Sequence, residues 1–346
     1  MISFLIVISI CVIFHEGGHY LTAKWRNVLV HEFAFGMGPA VWSKKKGETV
    51  WSLRAFPIGG FVRLEGEDES EADEGTKPTG YDPSRSLMHK KPWERFVILS
   101  SGALVNLLLA WLLTALLLAG NGVLDLESAK IGNVMENTPA QAYGIETGDT
   151  LLSINGKMLD GWGDIRKNIQ DQSVTSDIFT IVIKRGEDTI TKEISIPAGE
   201  DGTARLLGVQ PARVTYPFYK ALAHGLGFSW NMGVEILRGL WMFVTGQIKT
   251  DVVGPVGIAV MAGDAFKQGF WSFVAFLGVI NLHLGLLNLF PFPALDGGRI
   301  VFVLIEMITR RKVPEKWEGW IHYGGFIILL ALIVLVTGKD IVRLFS

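Results

Sequence analysis

The sequence contains a single cysteine, Cys11, and only 19% of its 346 residues are charged. One thiol excludes an intramolecular disulfide and any metal site built from several cysteines. The formal net charge is -2, and the chain has no basic stripe interleaved with aromatic residues. These features argue against a nucleic-acid partner, which is bound through clustered positive charge.

In place of charge, the chain carries apolar residues. Hydrophobic residues make up 49% of the sequence and the mean hydropathy is +0.33, which is typical of an integral membrane protein with a soluble insert. A run of about 20 apolar residues crosses a hydrocarbon core of roughly 30 Å. The sequence therefore predicts a polytopic α-helical membrane protein with four transmembrane helices, at residues 2–23, 96–119, 271–293 and 320–337.

The first span has the features of a retained helix and not of a cleaved signal peptide. No Lys or Arg precedes its apolar run, and it has no small-x-small cleavage site. Lys24 and Arg26 follow it directly, and such positive residues mark the cytoplasmic side of a span. We therefore expect an outer amino terminus, with the end of the first span at the inner boundary of the cytoplasmic membrane.

Residues 15–19, His-Glu-Gly-Gly-His, form a metal-binding pattern at that inner end. Positions four apart share one face of a helix, so His15 and His19 can bind one tetrahedral zinc ion. Glu16 beside them is then the general base for a zinc-activated water. The alternative is a packing or interfacial cluster, but two His and a Glu are expensive in hydrocarbon and indicate function.

The third span ends in a second informative stretch, residues 288–299, which contains two prolines and a Gly pair around Asp296. Prolines break a helix, and irregular backbone at membrane depth must line a cavity or pack on protein. Asp296 is the natural third ligand, because catalytic zinc usually has three protein ligands and a water. The alternative for Asp296 is a helix-capping or Arg-paired carboxylate.

Between the first two spans, residues 28–66 alternate apolar and polar side chains, as β-strands do. A turn at 44–48 and several Gly and Pro residues predict two short membrane-associated hairpins. An extended substrate can add to the edge of such a sheet, or the sheet can merely plug the cytoplasmic mouth. The acidic block 65–74, within a loop at 65–90, cannot bury apolar surface and is predicted to be disordered.

Residues 123–213 have the composition of a soluble insert. The stretch 139–149, Pro-Ala-Gln-Ala-Tyr-Gly-Ile-Glu-Thr-Gly-Asp, resembles the bacterial PDZ motif Pro-Ala-x-x-Ala-Gly-Leu-x-x-Gly-Asp, with Tyr143 and Ile145 as departures. Lys90, Lys91 and Arg95 mark the inner end of the second span, which returns the chain to the outer face, so we expect an extracytoplasmic α+β domain. The resemblance implies that it either captures an extended segment or chain end, or filters substrates by size. Residues 217–257 then predict an interfacial helix and a linker with a chain reversal.

Taken together, the first span's His-Glu-x-x-His, the Gly-rich β region, the PDZ-like insert and the later Asn-x-x-Pro-x-x-x-Leu-Asp-Gly resemble the site-2 protease family, in particular bacterial intramembrane zinc metalloproteases with one PDZ domain. In that arrangement, residues 1–120 and 258–346 form the two halves of the protease core. The resemblance implies zinc held by His15, His19 and Asp296, with Glu16 as the base. It further implies that Asn288 lies near the substrate and that residues 30–65 present the substrate.

Three positions depart from that family. Gly17 stands where the family commonly has Phe or Leu, and the resulting Gly pair should weaken the helix by up to about 1 kcal/mol relative to Ala. The second-span motif Gly-Pro-x-x-Asn is Gly-Ala-Leu-Val-Asn at 102–106, which leaves Asn106 as either a substrate contact or an interhelical hydrogen-bond partner. His283 replaces an Asn, and we favour a neutral hydrogen-bond partner over a metal or proton-transfer group. His322, near the start of the fourth span, is interpreted as interfacial.

These features predict a zinc-dependent intramembrane endopeptidase whose active site lies toward the cytoplasmic side. Its partners are the lipid bilayer and single-pass membrane substrates, with anti-sigma factors or signal-peptide remnants implied by the family resemblance. One alternative is a non-enzymatic scaffold that gathers membrane partners through the PDZ-like domain. The other is a metal transporter, for which repeat-like halves are expected and no internal repeat is seen. The oligomeric state stays open.

Overall fold

A computed structural model describes residues 2–67, 82–170, 177–197, 205–247 and 253–345. The chain divides into two compact units. One comprises Met1–Ala115 together with Leu222–Ser346, and the other is the inserted stretch Leu116–Ala221.

Four helices of the described chain are long and apolar enough to cross a membrane. They are α1 (Ile2–Trp25), α2 (Pro92–Gly120), α7 (Phe270–Leu289) and α9 (Glu315–Phe345). Each coincides with one of the four expected spans, but α7 ends at Leu289 and not at residue 293. The cause is Pro291, because a residue that precedes proline is driven out of the helical region, and Phe290 is extended.

Three more helices lie wholly or mostly in the first unit: α5 (Phe218–Val244), α6 (Pro255–Lys267) and α8 (Asp296–Thr309). Helix α5 matches the helix expected over 217–248. Helix α6 corrects the sequence analysis, in which 254–257 is only a chain reversal. Gly254 is extended and Pro255 is at the first helical position, where its fixed φ favours a helix start, so the reversal leads into a helix.

The β region consists of two long strands, β1 (Val30–Lys46) and β2 (Thr49–Leu64), joined by the turn expected at 44–48. The expected division into two short hairpins is wrong. Each strand bends and pairs twice, so that Phe33 lies opposite both Val62 and Trp51. The bends are at glycines of positive φ, such as Gly36, which interrupt the straight run of a strand without ending it.

The bent strands give four segments in the order 42–46, 49–53, 32–35 and 60–64. This sheet packs on the end of α1 and on α2, around a core whose members are buried: Ala23, Val28, Val30, Phe33, Val62, Leu64, Leu87 and Ile98. The Phe33 and Trp51 rings stack with centroids 4.7 Å apart. The core therefore fixes segment 60–64 beside the histidine-bearing helix.

The acidic block begins inside this packed region. Glu65 is buried, and one of its carboxylate oxygens is 2.7 Å from His31 Nε2. Glu67 forms an ion pair with Arg299 of α8. The prediction of disorder is therefore wrong for residues 65–67, because each charge has a partner, and residues 68–81 lie outside the described chain.

The inserted unit contains short helices α3 (Pro139–Ala142) and α4 (Trp162–Ile169) and a four-stranded sheet in the order β6-β5-β7-β8. The strands of the whole inserted unit are β3 (Val123–Leu124), β4 (Ile131–Val134), β5 (Thr150–Ile154), β6 (Lys157–Met158), β7 (Ile178–Arg185), β8 (Asp188–Ser195), β9 (Val209–Pro211) and β10 (Arg213–Val214). Alternate residues of β7, Phe179, Ile181 and Ile183, are fully buried in its core. This is the period-2 burial expected of a sheet with one face covered.

Candidate metal centre

The two histidines of the His-Glu-x-x-His pattern meet on one face of α1. His15 Nε2 and His19 Nε2 are 3.3 Å apart, with the two rings at 81° to each other. A helical turn brings residues four apart together, so this half of the centre is fixed within a single helix.

Asp296, the first residue of α8, reaches the same point from a distant part of the chain. Its Oδ2 is 3.2 Å from His15 Nε2 and 3.4 Å from His19 Nε2. Three ligands of a tetrahedral zinc ion, each about 2.0–2.1 Å from the metal, are about 3.3–3.4 Å from one another. The spacing of the three atoms therefore fits one zinc ion.

Hydrogen bonds beyond the three atoms agree with a metal site. His19 Nδ1 donates to the Ile98 carbonyl at 2.9 Å, which leaves Nε2 of the neutral ring with a free lone pair. Asp296 Oδ2 is buried without a hydrogen-bond partner among the described residues. A carboxylate oxygen and an imidazole lone pair that face each other repel unless a cation lies between them.

Asn288, expected near the substrate, touches the centre through His15. Its amide nitrogen is 3.4 Å from His15 Nδ1. Amide oxygen and nitrogen exchange places by a 180° rotation. With the oxygen toward His15, Asn288 accepts the Nδ1 proton and leaves His15 Nε2 for zinc.

The turn before Asp296 is held by very close backbone packing. A Cβ on Gly297 would lie 2.0 Å from the Phe290 carbonyl oxygen, and one on Gly298 would lie 2.6 Å from that of Phe292. Both glycines are thus required for the chain to fold back from α7 into α8. The irregular backbone expected from the two prolines is present here, and it packs closely on protein.

A residue whose role the sequence analysis misses is Gly102 of α2. A Cβ at this position would lie 2.3 Å from His19 Nε2 and 2.8 Å from His15 Cε1. Helix α2 therefore passes directly over both imidazoles. In the sequence, the signal for this role is the Gly that begins the second-span motif Gly-Ala-Leu-Val-Asn at 102–106.

Gly18 has a related role. The sequence predicts only that the Gly pair weakens the helix, but Gly18 also allows α1 to pack closely against α2. A Cβ on Gly18 would be 2.5 Å from the Ser101 carbonyl oxygen, whereas Gly17 faces open space. Thr22 Oγ1 and Ser101 Oγ are 2.8 Å apart beside this contact. Gly18 is therefore a point of close approach between α1 and the backbone of α2, next to Gly102 over the centre.

A cavity of about 440 Å³ opens beside the centre. Its lining includes His15, Glu16, His19, Phe61, Val62, Leu64, Glu67, Asp296, Arg299 and His322. Glu16 is thus in the same cavity as the three candidate ligands, as a general base must be. The three β2 residues in the lining come from segment 60–64 of the sheet.

Of the other candidate residues, Asn106 and His283 are not among the residues that line this cavity, whereas His322 is. Asn106 is fully buried, and its amide has no hydrogen-bond partner among the described residues. His283 Nδ1 donates to the Val279 carbonyl of its own helix at 2.9 Å and does not belong to the cluster of three ligand atoms. His322, which the sequence places at the membrane interface, lines this cavity.

The sequence model of peptidase family M50 matches residues 3–332. The chain belongs to this family. With its four apolar helices, this M50 peptidase is a multi-pass membrane protein. A Clostridium perfringens protein is 36% identical over 341 residues, which cover 98% of this chain and 97% of that protein.

Two further relatives of this M50 peptidase carry descriptive names. The zinc metalloprotease RasP of Geobacillus kaustophilus is 31% identical and is covered to 98%, and the regulator of sigma-W protease RasP of Bacillus subtilis is 28% identical and is covered to 99%. Both matches span all of this chain. A solved PDZ domain from an SdrC-like protein of Listeria monocytogenes matches at 18% identity and a TM-score of 0.21, over 24% of this chain and 85% of that one. A likeness that weak carries no argument about the insert.

Proposed function

We propose that this M50 peptidase is a zinc-dependent endopeptidase that cleaves single-pass membrane proteins within or beside their membrane-spanning helix. The observation that carries the proposal is the meeting of Asp296 Oδ2 with the Nε2 atoms of His15 and His19, all three 3.2–3.4 Å apart, in a cavity shared with Glu16.

In the proposed mechanism, His15, His19 and Asp296 hold the metal. Bound zinc supplies Lewis-acid activation of water and of the scissile carbonyl. Glu16 takes the proton of the attacking water and later donates it to the leaving amine. Asn288 and the Ile98 carbonyl orient the two imidazoles through their Nδ1 atoms.

The sheet supplies a route for the substrate to the centre. Segment 60–64 pairs with segment 30–35 on one side, and the described chain offers no strand on its other side. Phe61, Val62 and Leu64 of this segment line the cavity. We therefore favour addition of an extended substrate strand to this edge over a sheet that merely plugs the cavity.

Orientation and partners complete the proposal. Basic residues follow α1 and precede α2 and α9, as expected if the metal centre lies toward the cytoplasmic side of the inner membrane. The PDZ-like insert is then extracytoplasmic and either binds or filters substrates. Anti-sigma factors and signal-peptide remnants are the substrate classes that the family resemblance implies, and the sigma-W name of the Bacillus subtilis relative supports the first.

A purified full-length chain in lipid vesicles, with a single-pass reporter, tests the proposal. Glu16→Gln should lower the cleavage rate by at least about 100-fold, because a general base contributes roughly 10²–10⁴-fold, and should keep the bound zinc. His15→Ala should lose both cleavage and zinc. Cleavage by Glu16→Gln at the unmodified rate would leave a binding scaffold, and zinc flux across the vesicles without cleavage would indicate a transporter.

A further inference from the structure

The turn that carries Asp296 is held by a residue of α9. The Ala294 N–H donates to His322 Nδ1 at 3.0 Å. Ala294, two residues before Asp296, has a φ of 78°, in the left-handed region that alanine disfavours. Such a conformation persists only where surrounding contacts impose it.

A second contact of α9 falls on the neighbouring residue of the turn. Gly325 lies one helical turn after His322, and a Cβ on it would be 2.4 Å from Pro293 Cβ and 2.6 Å from the Pro293 oxygen. Phe302 of α8 lies beside His322, with ring centroids 5.6 Å apart. One face of α9 thus contacts two successive turn residues and the helix that Asp296 begins.

The hydrogen bond also determines where the proton of His322 resides. Because Nδ1 accepts from a backbone N–H, the neutral imidazole carries its proton on Nε2. Nε2 is buried and has no hydrogen-bond partner within the described ranges. Among the described residues, the one hydrogen bond of the His322 side chain is therefore the one to Ala294.

We propose that His322 is a positioning residue, which fixes the Ala294 turn and thereby sets Asp296 against the two imidazoles. This inference rests on the zinc site of the proposed function. His15 and His19 are placed by their own helix, whereas Asp296 depends on an irregular turn. Metal ligands must lie within about 0.2 Å of ideal distances, so the turn has to be held rigidly.

Three substitutions distinguish the contributions of the two nitrogen atoms of His322 to zinc binding. Asn places an acceptor oxygen at the position of Nδ1, Gln places an amide at the position of Nε2, and Phe keeps a ring without either atom. Zinc affinity is measured by chelator competition on the full-length chain in detergent. We expect His322→Phe and His322→Gln to bind zinc about 10-fold more weakly, and His322→Asn to stay within about 2-fold.

A glycine pair on α9 supplies a matched control. Gly325→Ala should weaken zinc binding because its methyl group strikes Pro293, whereas the neighbouring Gly324 faces open space and Gly324→Ala should bind zinc as the unmodified chain does. In cleavage assays, His322→Phe should lower kcat with little change in KM, because the substrate edge at 60–64 is untouched.

The outcomes distinguish this inference from the proposed function. If His15→Ala loses zinc while His322→Phe and Gly325→Ala retain full affinity, the positioning role is wrong and the metal site stands. If His322→Gln binds normally and His322→Asn does not, the Nε2 atom matters instead, and the inference fails. If His15→Ala keeps zinc, the metal site itself is wrong.

Discussion

Replacement of Gly102 by alanine should disable the metal centre while leaving the membrane helices folded. The new Cβ would lie 2.3 Å from His19 Nε2, about 1 Å closer than ordinary van der Waals contact, and 2.8 Å from His15 Cε1. The atom it strikes first is the nitrogen that would bind zinc. Either the imidazoles or α2 must therefore move.

Helix α2 has little freedom to move away. Gly18 already brings α1 against the Ser101 backbone, and Thr22 is hydrogen-bonded to Ser101 at the same contact. A shift of α2 would break that packing, so we expect the imidazoles to rotate. A displacement of about 1 Å exceeds the tolerance of about 0.2 Å for a metal ligand and is enough to lower a catalytic rate about 100-fold.

The assay compares Gly102→Ala with Gly17→Ala. Gly17 is on α1 between the histidines, but a Cβ there meets nothing within 4 Å, so its replacement should preserve zinc affinity and raise helix stability by up to about 1 kcal/mol. Gly102→Ala should weaken zinc binding about 10- to 100-fold in a chelator competition and lower the rate of reporter cleavage by about 100-fold. Unchanged zinc affinity of Gly102→Ala would refute the close passage of α2 over the imidazoles.

Two further predictions concern buried charges. Arg95, which is buried, and Glu306, which is largely buried, join α2 to α8 through an ion pair with a 2.6 Å contact. Arg95→Met should lower the free energy of unfolding by about 3–5 kcal/mol in a denaturant titration, and the added change Glu306→Leu should recover most of it, a result that a solvated pair would not give. In the insert, burial raises the pKa of Asp149, but hydrogen bonds from Arg185 outweigh it and lower the pKa below its usual value. The stabilisation of the insert by the ionised Asp149 is full above about pH 4 and is lost as the pH falls through the lowered pKa. Hydrogen-exchange protection of β7 should therefore fall in that acidic range. The variant Asp149→Asn should be less stable by about 2 kcal/mol at neutral pH and should show a weaker dependence of its stability on pH.

Parts of the fold that depend on local pattern are predictable from sequence. The four apolar helices follow from run length and the irregular turn follows from two prolines, but the expected third span runs four residues past Leu289, where α7 ends. The bent sheet is not predictable in the same way, because Gly36 and Gly59 read equally well as strand ends or as bends. Whether the strands end or bend at these glycines depends on the pairing of β1 with both halves of β2, which joins residues far apart in the sequence.

The candidate site likewise has one part that the local sequence determines and one part that tertiary contacts determine. A helical repeat alone pairs His15 with His19 and puts Glu16 beside them, so five consecutive residues determine that half of the centre. The arrival of Asp296, the passage of Gly102 over the imidazoles and the contact of His322 with Ala294 join residues 28 to 281 positions apart, and no periodic pattern encodes them. Close packing of the helices decides those contacts, since a single added methyl group at Gly18, Gly102 or Gly325 would overlap a neighbouring atom.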